Sequence, residues 1–533
     1  MALDWIKNDN EINTTGTEIN PTICSNGTHI FMTYITSGSL PDRTNAGNYD
    51  LVIMKLSLTG NIIWTKQDAN FNTPNYENNP SICYDENTNS IYVSYVSVGY
   101  IPGQSNFGYN DIIVLRMNMD GDLIWIKQSS GFNTTGSDED PAITCDNNGV
   151  YITYTTDSAI TNLTKTGNTD IVVFKLNKTN GNLLWVKQNS GFNTTSVNTN
   201  SKICSDGTKI YIVYDTNGTI SGGTKTGTID LAIFALNTDG DILWTKQDSG
   251  INVNTENKNA TICANLDNSG FFLSHRTTGS KGDYDIVVLS ITNSGAITWR
   301  KQDGEFNTSL TNKNPSITCN TEGIYVSYES VGSINVFKLN TNGNLSWKGD
   351  VILFNVAGTN ELSEICISGN NEVTVCYQTT NNAYGNSDVV IFKLKDLIHS
   401  SSACFSYNTL NKIIEKIKAN NVEIKSILVF GGLRGDKKMY RCEIEGFGEA
   451  EFTHDHPFIY NGILIDFDNL KKTKIVTKIE EIEDIKDIKM MYNIVGCVED
   501  QMAEKNKFLI GDNLYCVGGR IKKKLKNNDV FDI

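Results

Sequence analysis

The chain has 533 residues and a formal charge of −15, with 39% apolar and 9% aromatic residues. This apolar content is enough to build packed cores and excludes a wholly disordered chain. No run of eighteen apolar residues occurs, and the first fifteen residues, MALDWIKNDNEINTT, lack the apolar stretch of a signal peptide, so membrane spanning and secretion are both disfavoured.

The first predicted element is a short strand at residues 2–7, ALDWIK, with the pattern Leu-x-Trp-x-Lys. A pair of strands follows in PTICSNGTHIFMTY (21–34), and then a hairpin in DLVIMKLSLTGNIIWTKQ (50–67). The hairpin joins two runs rich in β-branched residues through a turn in which glycine supplies the positive φ. This stretch therefore predicts four short antiparallel strands.

The hairpin pattern recurs along the chain at a spacing of about 60 residues that later shrinks to about 50. Its seven copies begin at residues 50, 111, 170, 230, 285, 334 and 388. Four antiparallel strands in a unit of this length are typical of a propeller blade. The repeat predicts an all-β fold, a seven-bladed β-propeller over residues 1–399.

Tryptophan positions indicate how the ring closes. Six hairpins end in a tryptophan, at residues 64, 125, 185, 244, 299 and 347, whereas the seventh ends without one. Trp5 of the first strand supplies the missing residue, so the N-terminal strand is expected to complete the last blade and leave no open edge. All seven tryptophans are then predicted to be structural rather than carbohydrate-stacking.

The units resemble the bacterial-type seven-bladed propeller repeats, whose signature is Asp, a short β run with Lys-Leu, and Gly-Asn-Leu-x-Trp. The resemblance covers roughly residues 1–400 and implies a binding or scaffold module rather than a particular ligand. His29 and His275 lie within the repeated units, and neither has an evident partner, so catalysis by the propeller is disfavoured. No cofactor is predicted.

Two turns, at 120–122 and 239–241, read Asp-Gly-Asp and raise the alternative of calcium binding. The corresponding turns elsewhere read TGN, NGN or SGA, which favours a hairpin turn, and no metal site is predicted.

Cysteines also follow the repeat, once in each unit, at residues 24, 83, 145, 204, 263, 319 and 366. Their offset slips by one residue between an Ile-Cys and an Ile-Thr-Cys version. Cysteines of different blades are expected to lie too far apart to bridge, so they are interpreted as small buried residues in a reducing compartment. No Cys-x-x-Cys spacing points to zinc.

Charge divides the chain unevenly. From Cys404 onward there are 21 basic and 21 acidic residues, which leaves 24 basic and 39 acidic residues before it. An acidic ring repels phosphate backbones, so nucleic-acid binding by the propeller is disfavoured. The basic segment 520–533 is interpreted as a solvated tail.

The repeat stops near residue 400, and a second domain is predicted over residues 400–519. It is expected to be small and mostly β (α+β), with a helix at 412–421 and strands at 423–432, 439–446 and 448–458. Three segments resemble the Hint (hedgehog/intein) family. They are Cys404-Phe405 after a small residue, the Thr-x-x-His-Pro motif at 453–457, and the closing pattern at 491–519.

The Hint resemblance implies self-cleavage by an N-to-S acyl shift. The Cys404 thiol would attack the carbonyl of Ala403, His456 would protonate the leaving nitrogen, and Thr453 would hydrogen-bond near the developing oxyanion. The domain ends in CVGG (516–519) rather than the His-Asn of inteins, so splicing is not expected. The alternative is a domain retained for interaction or assembly, with Cys404 buried.

Three functions follow from these observations. The first is a non-enzymatic scaffold with protein partners or self-assembly; the second is a self-processing precursor. The third is a propeller that binds a carbohydrate or another ligand through the loops at 37–49 and 97–110, since the loops are expected to be longer in the first two blades. Lysine outnumbers arginine 38 to 7, as in proteins from AT-rich genomes such as those of large DNA viruses, and the expected location is the cytoplasm or a virus particle.

Overall fold

The computed structural model describes residues 2–279, 283–349, 355–369, 372–380 and 383–395, together with the backbone of strands between residues 403 and 521. The chain divides into two compact units, Met1–Lys395 and Asp396–Ile533. In the described residues, no helix is long and apolar enough to cross a membrane.

The first unit consists of seven four-stranded antiparallel sheets, the blades. Blade 1 comprises β2 (Glu18–Ser25), β3 (His29–Thr36), β4 (Asp50–Ser57) and β5 (Ile62–Lys66). Blade 2 comprises β6 (Glu77–Asp85), β7 (Ser90–Ser97), β8 (Asp111–Asn118) and β9 (Leu123–Lys127). Blade 3 comprises β10 (Asp138–Cys145), β11 (Val150–Thr156), β12 (Asp170–Leu176) and β13 (Leu183–Lys187).

The remaining blades repeat this order. Blade 4 comprises β14 (Asn198–Ser205), β15 (Lys209–Thr216), β16 (Asp230–Asn237) and β17 (Ile242–Lys246). Blade 5 comprises β18 (Asn257–Ala264), β19 (Gly270–Thr278), β20 (Tyr284–Thr292) and β21 (Ile297–Lys301). Blade 6 comprises β22 (Asn312–Asn320), β23 (Gly323–Ser330), β24 (Ser333–Leu339) and β25 (Leu345–Lys348). Blade 7 comprises β26 (Asn360–Gly369), β27 (Glu372–Thr379), β28 (Asp388–Lys395) and β1 (Ala2–Lys7).

The first strand of the chain closes the ring, as the tryptophan pattern predicts. β1 pairs antiparallel with β28, and Ala2 lies opposite Lys395. The predicted seven-bladed, all-β propeller with N-terminal closure is therefore confirmed. Closure lets the last blade have the same number of strands as the others and protects the join from an unpaired edge.

The tryptophans of the outer strands connect consecutive blades. Trp64 Nε1 donates a 2.9 Å hydrogen bond to the carbonyl of Met119 in the next blade, and its ring lies against Gly121. Gly121 has a φ of 81°, so it both forms the hairpin turn and leaves room for the indole ring. Equivalent indole hydrogen bonds are made by Trp5, Trp125, Trp185, Trp244 and Trp299. These contacts support the structural role predicted for these six residues.

Buried tyrosines fix the segment that connects each blade to the next. Tyr34 donates its hydroxyl hydrogen to the carbonyl of Ile12 at 2.7 Å, and Tyr95 donates to the carbonyl of Phe71 at 2.5 Å. Tyr154, Tyr214 and Tyr328 make the same bond in blades 3, 4 and 6. Apolar clusters fill the spaces between neighbouring blades, so the core is divided into wedges around the ring rather than concentrated in one place.

The described part of the second unit is β-sheet. Its strands are β29 (Ala403–Cys404), β30 (Ile424–Leu433), β31 (Met439–Ile444), β32 (Gly448–Thr453), β33 (Phe458–Tyr460), β34 (Ile463–Ile465), β35 (Val476–Ile482), β36 (Met490–Val498), β37 (Phe508–Leu509), β38 (Leu514–Cys516) and β39 (Arg520–Ile521). The sheet orders are β29-β30-β36, β35-β31-β32-β39 and β34-β33-β38-β37. The helix predicted at 412–421 lies outside the described residues, and the Hint-like fold stays a prediction.

Candidate binding face around the central channel

The first strand of each blade borders a central channel with a volume of 380 Å³. Its wall is formed by residues 20–23, 79–82, 140–143, 200–203, 259–262, 314–317 and 362–365. These segments lie near the start of each first strand, which is the end of the ring that also carries the loops between the second and third strands. We call this end the loop face.

A β-bulge occurs at the same point of every first strand, and one residue of each bulge has a left-handed backbone. In blade 1 the register shifts between Ile19 and Thr22, and Asn20 has a φ of 53°. The equivalent residues are Asn79, Asp140, Asn200, Asn259, Asn314 and Leu362, with φ between 46° and 55°. Asn and Asp tolerate this conformation best, which explains their use at six of the seven positions.

Side chains of these bulge residues link neighbouring blades by hydrogen bonds. Asn20 Nδ2 donates to Asn79 Oδ1 at 2.9 Å, and Asn79 Nδ2 donates to Asp140 Oδ1 at 2.6 Å. On the other side of the channel, Asn259 Nδ2 donates to Asn314 Oδ1 at 2.5 Å. The channel rim is thus a belt of amides and carboxyls, which blade 7 interrupts with Leu362. Sequence analysis missed this belt, although an Asn or Asp recurs before Pro, Ser or Ala at the same offset in six units.

Buried carboxyl groups lie at the first position of the first strand in blades 1–3. The hydroxyls of Thr73 and Ser97 donate to Glu77 Oε1 at 2.6 and 2.9 Å. The second oxygen, Oε2, has no hydrogen-bond partner among the described residues. Burial raises the pKa of Glu77 to about 7, although the hydrogen bonds from Thr73 and Ser97 act in the opposite direction.

The same position is also acidic in blades 1 and 3, and it is neutral in blades 4–7. Burial raises the pKa of Asp138 to about 6 and also raises the pKa of Glu18. Blades 4–7 carry an amide at this position, in Asn198, Asn257, Asn312 and Asn360. In blade 4, Asn198 Oδ1 accepts the threonine hydroxyl of Thr194 as the carboxyls do, so these acids fill a structural position that an amide also fills.

A further buried acid lies between blades 4 and 5. Asp215 Oδ2 accepts a 2.9 Å hydrogen bond from Asn200 Nδ2 and a 3.3 Å bond from the backbone N–H of Asn259. Burial raises the pKa of Asp215 to about 7, although the hydrogen bonds from Asn200 and Asn259 and the positive charges of Lys258 and Arg276 act in the opposite direction. Asp215 therefore attaches two bulge residues to the second strand of blade 4.

Long loops cover the loop face in four consecutive blades. They are residues 37–49, 98–110, 157–169 and 217–229, whereas the corresponding connections in blades 5–7 are 279–283, 331–332 and 380–387. The expectation that only the first two blades carry the longer loops is therefore wrong. The loops of blades 3 and 4 have the same length as those of blades 1 and 2, but they lie outside the hairpin motif that makes the repeat visible in the sequence.

Each long loop is fixed by one glutamine and one aspartate. In blade 1, Gln67 Nε2 donates to the carbonyl of Gly38 at 2.8 Å and to Asp50 Oδ2 at 3.0 Å, while Gln67 Oε1 accepts the N–H of Leu40. Asp50 also accepts the backbone N–H of Gly47. Gln128 with Asp111, Gln188 with Asp170, and Gln247 with Asp230 repeat the arrangement. These loops are consequently held in one conformation.

Tyrosines are exposed on the loop face of blades 1 and 2. Tyr100 is 64% exposed and Tyr109 is 79% exposed, and both lie in the loop of blade 2. Tyr49 and Tyr76 stack with ring centroids 5.4 Å apart, and Tyr76 is also exposed. Exposed aromatic rings with polar tips are suited to binding because they bury much area at little entropic cost.

Apolar side chains are exposed at the rim of the same four blades. Ile63, Ile124, Leu184 and Leu243 occupy one equivalent position on the outer strand of blades 1–4 and are 45–51% exposed. Blades 5 and 6 have Thr298 and Ser346 at this position. Blades 1–4 therefore combine long loops on the loop face with exposed apolar side chains on their outer strands, near the hairpin turns at the opposite end. The exposed tyrosines lie in blades 1 and 2.

The two histidines of the ring do not form an acid–base pair. His275 is fully buried, its Nδ1 lies 3.0 Å from the carbonyl of Arg276, and burial lowers its pKa to about 3. His29 lies at the start of β3, in a different blade, where its Nδ1 contacts Thr28.

The Asp-Gly-Asp turn of blade 2 is part of a β-hairpin. Asn118 Oδ1 accepts the backbone N–H groups of Asp120 and Asp122, and Gly121 takes the positive φ. Across the described residues, no group of three or more His, Cys, Asp or Glu side chains could hold a metal ion.

The structure describes only part of the predicted self-cleavage site. Ala403 and Cys404 form β29 and pair with Gly431 and Phe430 of β30. Thr453 is the last residue of β32, which belongs to another sheet. His456 lies outside the described residues, so the predicted catalytic set stays a prediction.

Strand order and central channel define the first unit as a seven-bladed β-propeller. No protein-family model and no curated protein matches the chain. Similar solved structures include a protein of unknown function from Dyadobacter fermentans, 10% identical over 73% of this chain and 99% of that chain, with a TM-score of 0.39. An α-L-arabinofuranosidase from Fusarium graminearum is 8% identical over 74% of this chain and 97% of that chain, with a TM-score of 0.41.

An α-L-arabinanase from Penicillium chrysogenum, solved with arabinobiose, is 11% identical over 74% of this chain and 97% of that chain, with a TM-score of 0.39. The order and pairing of its own strands show the propeller fold of the first unit.

Proposed function

We propose that the propeller is a non-enzymatic protein-interaction module that binds its partner, or another copy of itself, on the half of the ring formed by blades 1–4. The observation that carries the proposal is the equivalent exposure of Ile63, Ile124, Leu184 and Leu243 on four consecutive outer strands. Exposed apolar residues that recur on one side of a molecule are typical of an interaction surface.

The long loops of blades 1–4 also favour this part of the ring as the interaction surface. Their glutamine and aspartate anchors hold them in one conformation, so little conformational entropy is lost when a partner binds. Tyr100 and Tyr109 add exposed aromatic area, which is enriched at the centres of protein interfaces. The net negative charge of the region before Cys404 favours a partner with a basic or neutral surface over a nucleic acid.

Lysine substitutions at the exposed apolar positions of the outer strands test this proposal. Ile124→Lys with Leu184→Lys places two charges on the apolar surface, and Thr298→Lys makes the matched change on blade 5. Purified proteins are compared by size-exclusion chromatography with light scattering, and complexes from the natural source are mapped by cross-linking mass spectrometry. We expect association that is lost in the double variant and kept in Thr298→Lys. Cross-links that avoid blades 1–4, or equal association of all three proteins, would contradict the proposal.

Carbohydrate binding is a second candidate, and the exposed tyrosines favour it. The flat faces of Tyr100 and Tyr109 present apolar surface with a polar tip, and the same loop carries the amides Gln104 and Asn106. A glycan array probed with the wild-type chain and with Tyr100→Ala/Tyr109→Ala separates this function from protein binding. Binding of a glycan by the wild type alone supports it, and the absence of any glycan bound by the wild type contradicts it.

A further inference from the structure

Two pairs of cysteines meet between neighbouring blades. Cys83 of blade 2 and Cys145 of blade 3 pack against the same apolar cluster with their thiols within hydrogen-bonding reach, and Cys263 of blade 5 and Cys319 of blade 6 share another cluster in the same way. All four are free thiols. The expectation that cysteines of different blades lie too far apart is therefore wrong for these two pairs.

A hydrogen bond beside each pair also shows that the thiol crosses the blade interface. Cys145 Sγ donates to the carbonyl of Tyr84, the residue after Cys83, at 3.2 Å. Cys319 Sγ donates to the carbonyl of Ala264, the residue after Cys263, at 3.1 Å. Each thiol thus reaches across the interface to the strand that carries its partner.

The one-residue slip in the sequence explains why these two interfaces bring together thiols from both neighbouring blades. Successive side chains of a strand point to opposite faces, so Cys in the Ile-Thr-Cys version faces the preceding blade instead of the following one. Blades 3 and 6 have this version and follow blades with the Ile-Cys version. By contrast, Cys24 and Cys204 each pack in a cluster without a second cysteine among the described residues.

We infer that Cys83 with Cys145, and Cys263 with Cys319, are sites of reversible inter-blade disulfide formation by exchange with a small disulfide such as oxidised glutathione. Cys83, Cys145 and Cys263 are only partly covered as residues, so local opening of the blade interface gives a small reagent access to at least one thiol of each pair. Each bond would link two blades covalently and close a long stretch of chain, residues 83–145 or 263–319.

The exchange balances with glutathione disulfide as the only oxidant. One protein thiol, as thiolate, attacks a sulfur of glutathione disulfide, which forms a mixed disulfide and releases one glutathione thiolate. The second protein thiolate attacks the protein sulfur of the mixed disulfide, which forms the inter-blade bond and releases the second glutathione. The two protons lost by the cysteines are taken up by the two glutathione thiolates. Burial raises the pKa of Cys83 well above its usual range, so the first step is slow at neutral pH.

Peptide mapping of the full chain tests the inference. The native protein is equilibrated with oxidised or reduced glutathione, free thiols are blocked with N-ethylmaleimide while the protein is unfolded at mildly acidic pH, and the digest is analysed without reduction by mass spectrometry. We expect two linked peptide pairs after oxidation, one joining Cys83 to Cys145 and one joining Cys263 to Cys319. Complete alkylation of all four cysteines after oxidation to equilibrium, or a different set of partners, would overturn it.

Variants separate the two bonds and give a second readout. Cys145→Ser should remove the first linked pair and keep the second, whereas Cys24→Ser should keep both. Oxidation should raise the thermal midpoint of the wild type by roughly 5 °C, and Cys145→Ser should lose part of this rise. Should Cys145→Ser fail to fold, Cys83→Ala removes the same bond from the other strand. An identical midpoint for the oxidised and reduced wild type would show that no bond constrains the ring.

Discussion

Trp5 lies opposite Lys393 on the outer edge of blade 7, and through this pairing the first strand of the chain completes the last blade. Its indole Nε1 donates a 2.9 Å hydrogen bond to the carbonyl of Leu58 in blade 1, and its ring lies against Gly60. Trp5 therefore contacts both sides of the closure, and the ring is held together there by one side chain as well as by the strand ladder.

Replacing this side chain should loosen the closure. Trp5→Ala removes the indole hydrogen bond and much of the packing between blades 7 and 1, so we expect the free energy of unfolding to fall by about 3 kcal/mol. Urea denaturation followed by fluorescence and circular dichroism measures the change. Ile6→Ala, in the same strand but exposed, is the control and should cost less than about 1 kcal/mol. An equal loss in both variants would mean that the indole ring has no special part in closure.

Ring closure could be predicted because it depends on local patterns. The seven hairpins carry turn glycines and alternating apolar residues, and the missing seventh tryptophan pointed directly to Trp5. The bulge residues, such as Asn20 and Asn79, were not recognised, because a left-handed residue inside a strand leaves no break in the hydrophobic pattern. Their repeated Asn-Pro sequence was the available signal, and its meaning depends on the register shift that only strand pairing reveals.

The buried carboxyl of Glu77 should make stability depend on pH. Its pKa rises from 4.5 to about 7 on folding, so the folded state binds the proton more tightly than the unfolded chain. The stabilisation of the folded state by proton binding at Glu77 is fully present below pH 4.5, falls as the pH rises from 4.5 to 7, and is lost above pH 7. Glu77→Gln should therefore resemble the wild type at pH 5 and be more stable by about 3 kcal/mol at pH 8. Denaturation curves at both pH values measure the difference.

The amide at the same position of blade 4 offers the reverse change. Asn198 accepts the hydroxyl hydrogen of Thr194 and donates to the carbonyl of Thr169, so a carboxylate there meets a carbonyl oxygen. Asn198→Asp should consequently lower stability more at pH 8 than at pH 5. If neither this variant nor Glu77→Gln alters the pH dependence, both carboxyls are solvated in the folded state and the buried-acid description is wrong.

The glutamine that anchors each long loop should control its susceptibility to protease. Gln67→Ala removes the hydrogen bonds to the carbonyl of Gly38, to Asp50 and to the N–H of Leu40, so the loop at 37–49 should open more often. Trypsin can cut after the exposed Arg43 in this loop, and we expect cleavage there at least roughly tenfold faster than in the wild type. Mass spectrometry of the early fragments identifies the site.

Blade 5 provides the matched control for this loop. Gln302 donates to Asp285 as Gln67 donates to Asp50, but the connection it lies beside is short. Gln302→Ala should therefore leave cleavage after Arg43 unchanged. Faster cutting at this site in Gln302→Ala would indicate general destabilisation of the ring instead of local release of one loop.

The one-residue difference in cysteine position is visible in the sequence, but its effect on which blade the thiol faces was not recognised. The difference between Ile-Cys and Ile-Thr-Cys is a change of face, which matters only when the neighbouring blade supplies a second thiol. Blade order is known from the repeat, so the meeting of Cys83 with Cys145 could have been deduced from strand alternation. The loop anchors were harder to find. Asp50 and Gln67 stand at the two ends of one hairpin, whereas the loop that they hold lies before that hairpin in the sequence.

Self-cleavage between Ala403 and Cys404 stays a hypothesis, which a denaturing gel tests directly. In that mechanism the Cys404 thiol accepts the acyl group of Ala403, and added thiol or water then releases residues 1–403. The wild-type chain incubated with dithiothreitol should yield this fragment, and Cys404→Ala should stay at full length. His456→Ala should slow release, because it removes the group that would protonate the leaving nitrogen. Equal full-length bands for wild type and Cys404→Ala would exclude processing and leave the second domain as an interaction or assembly module.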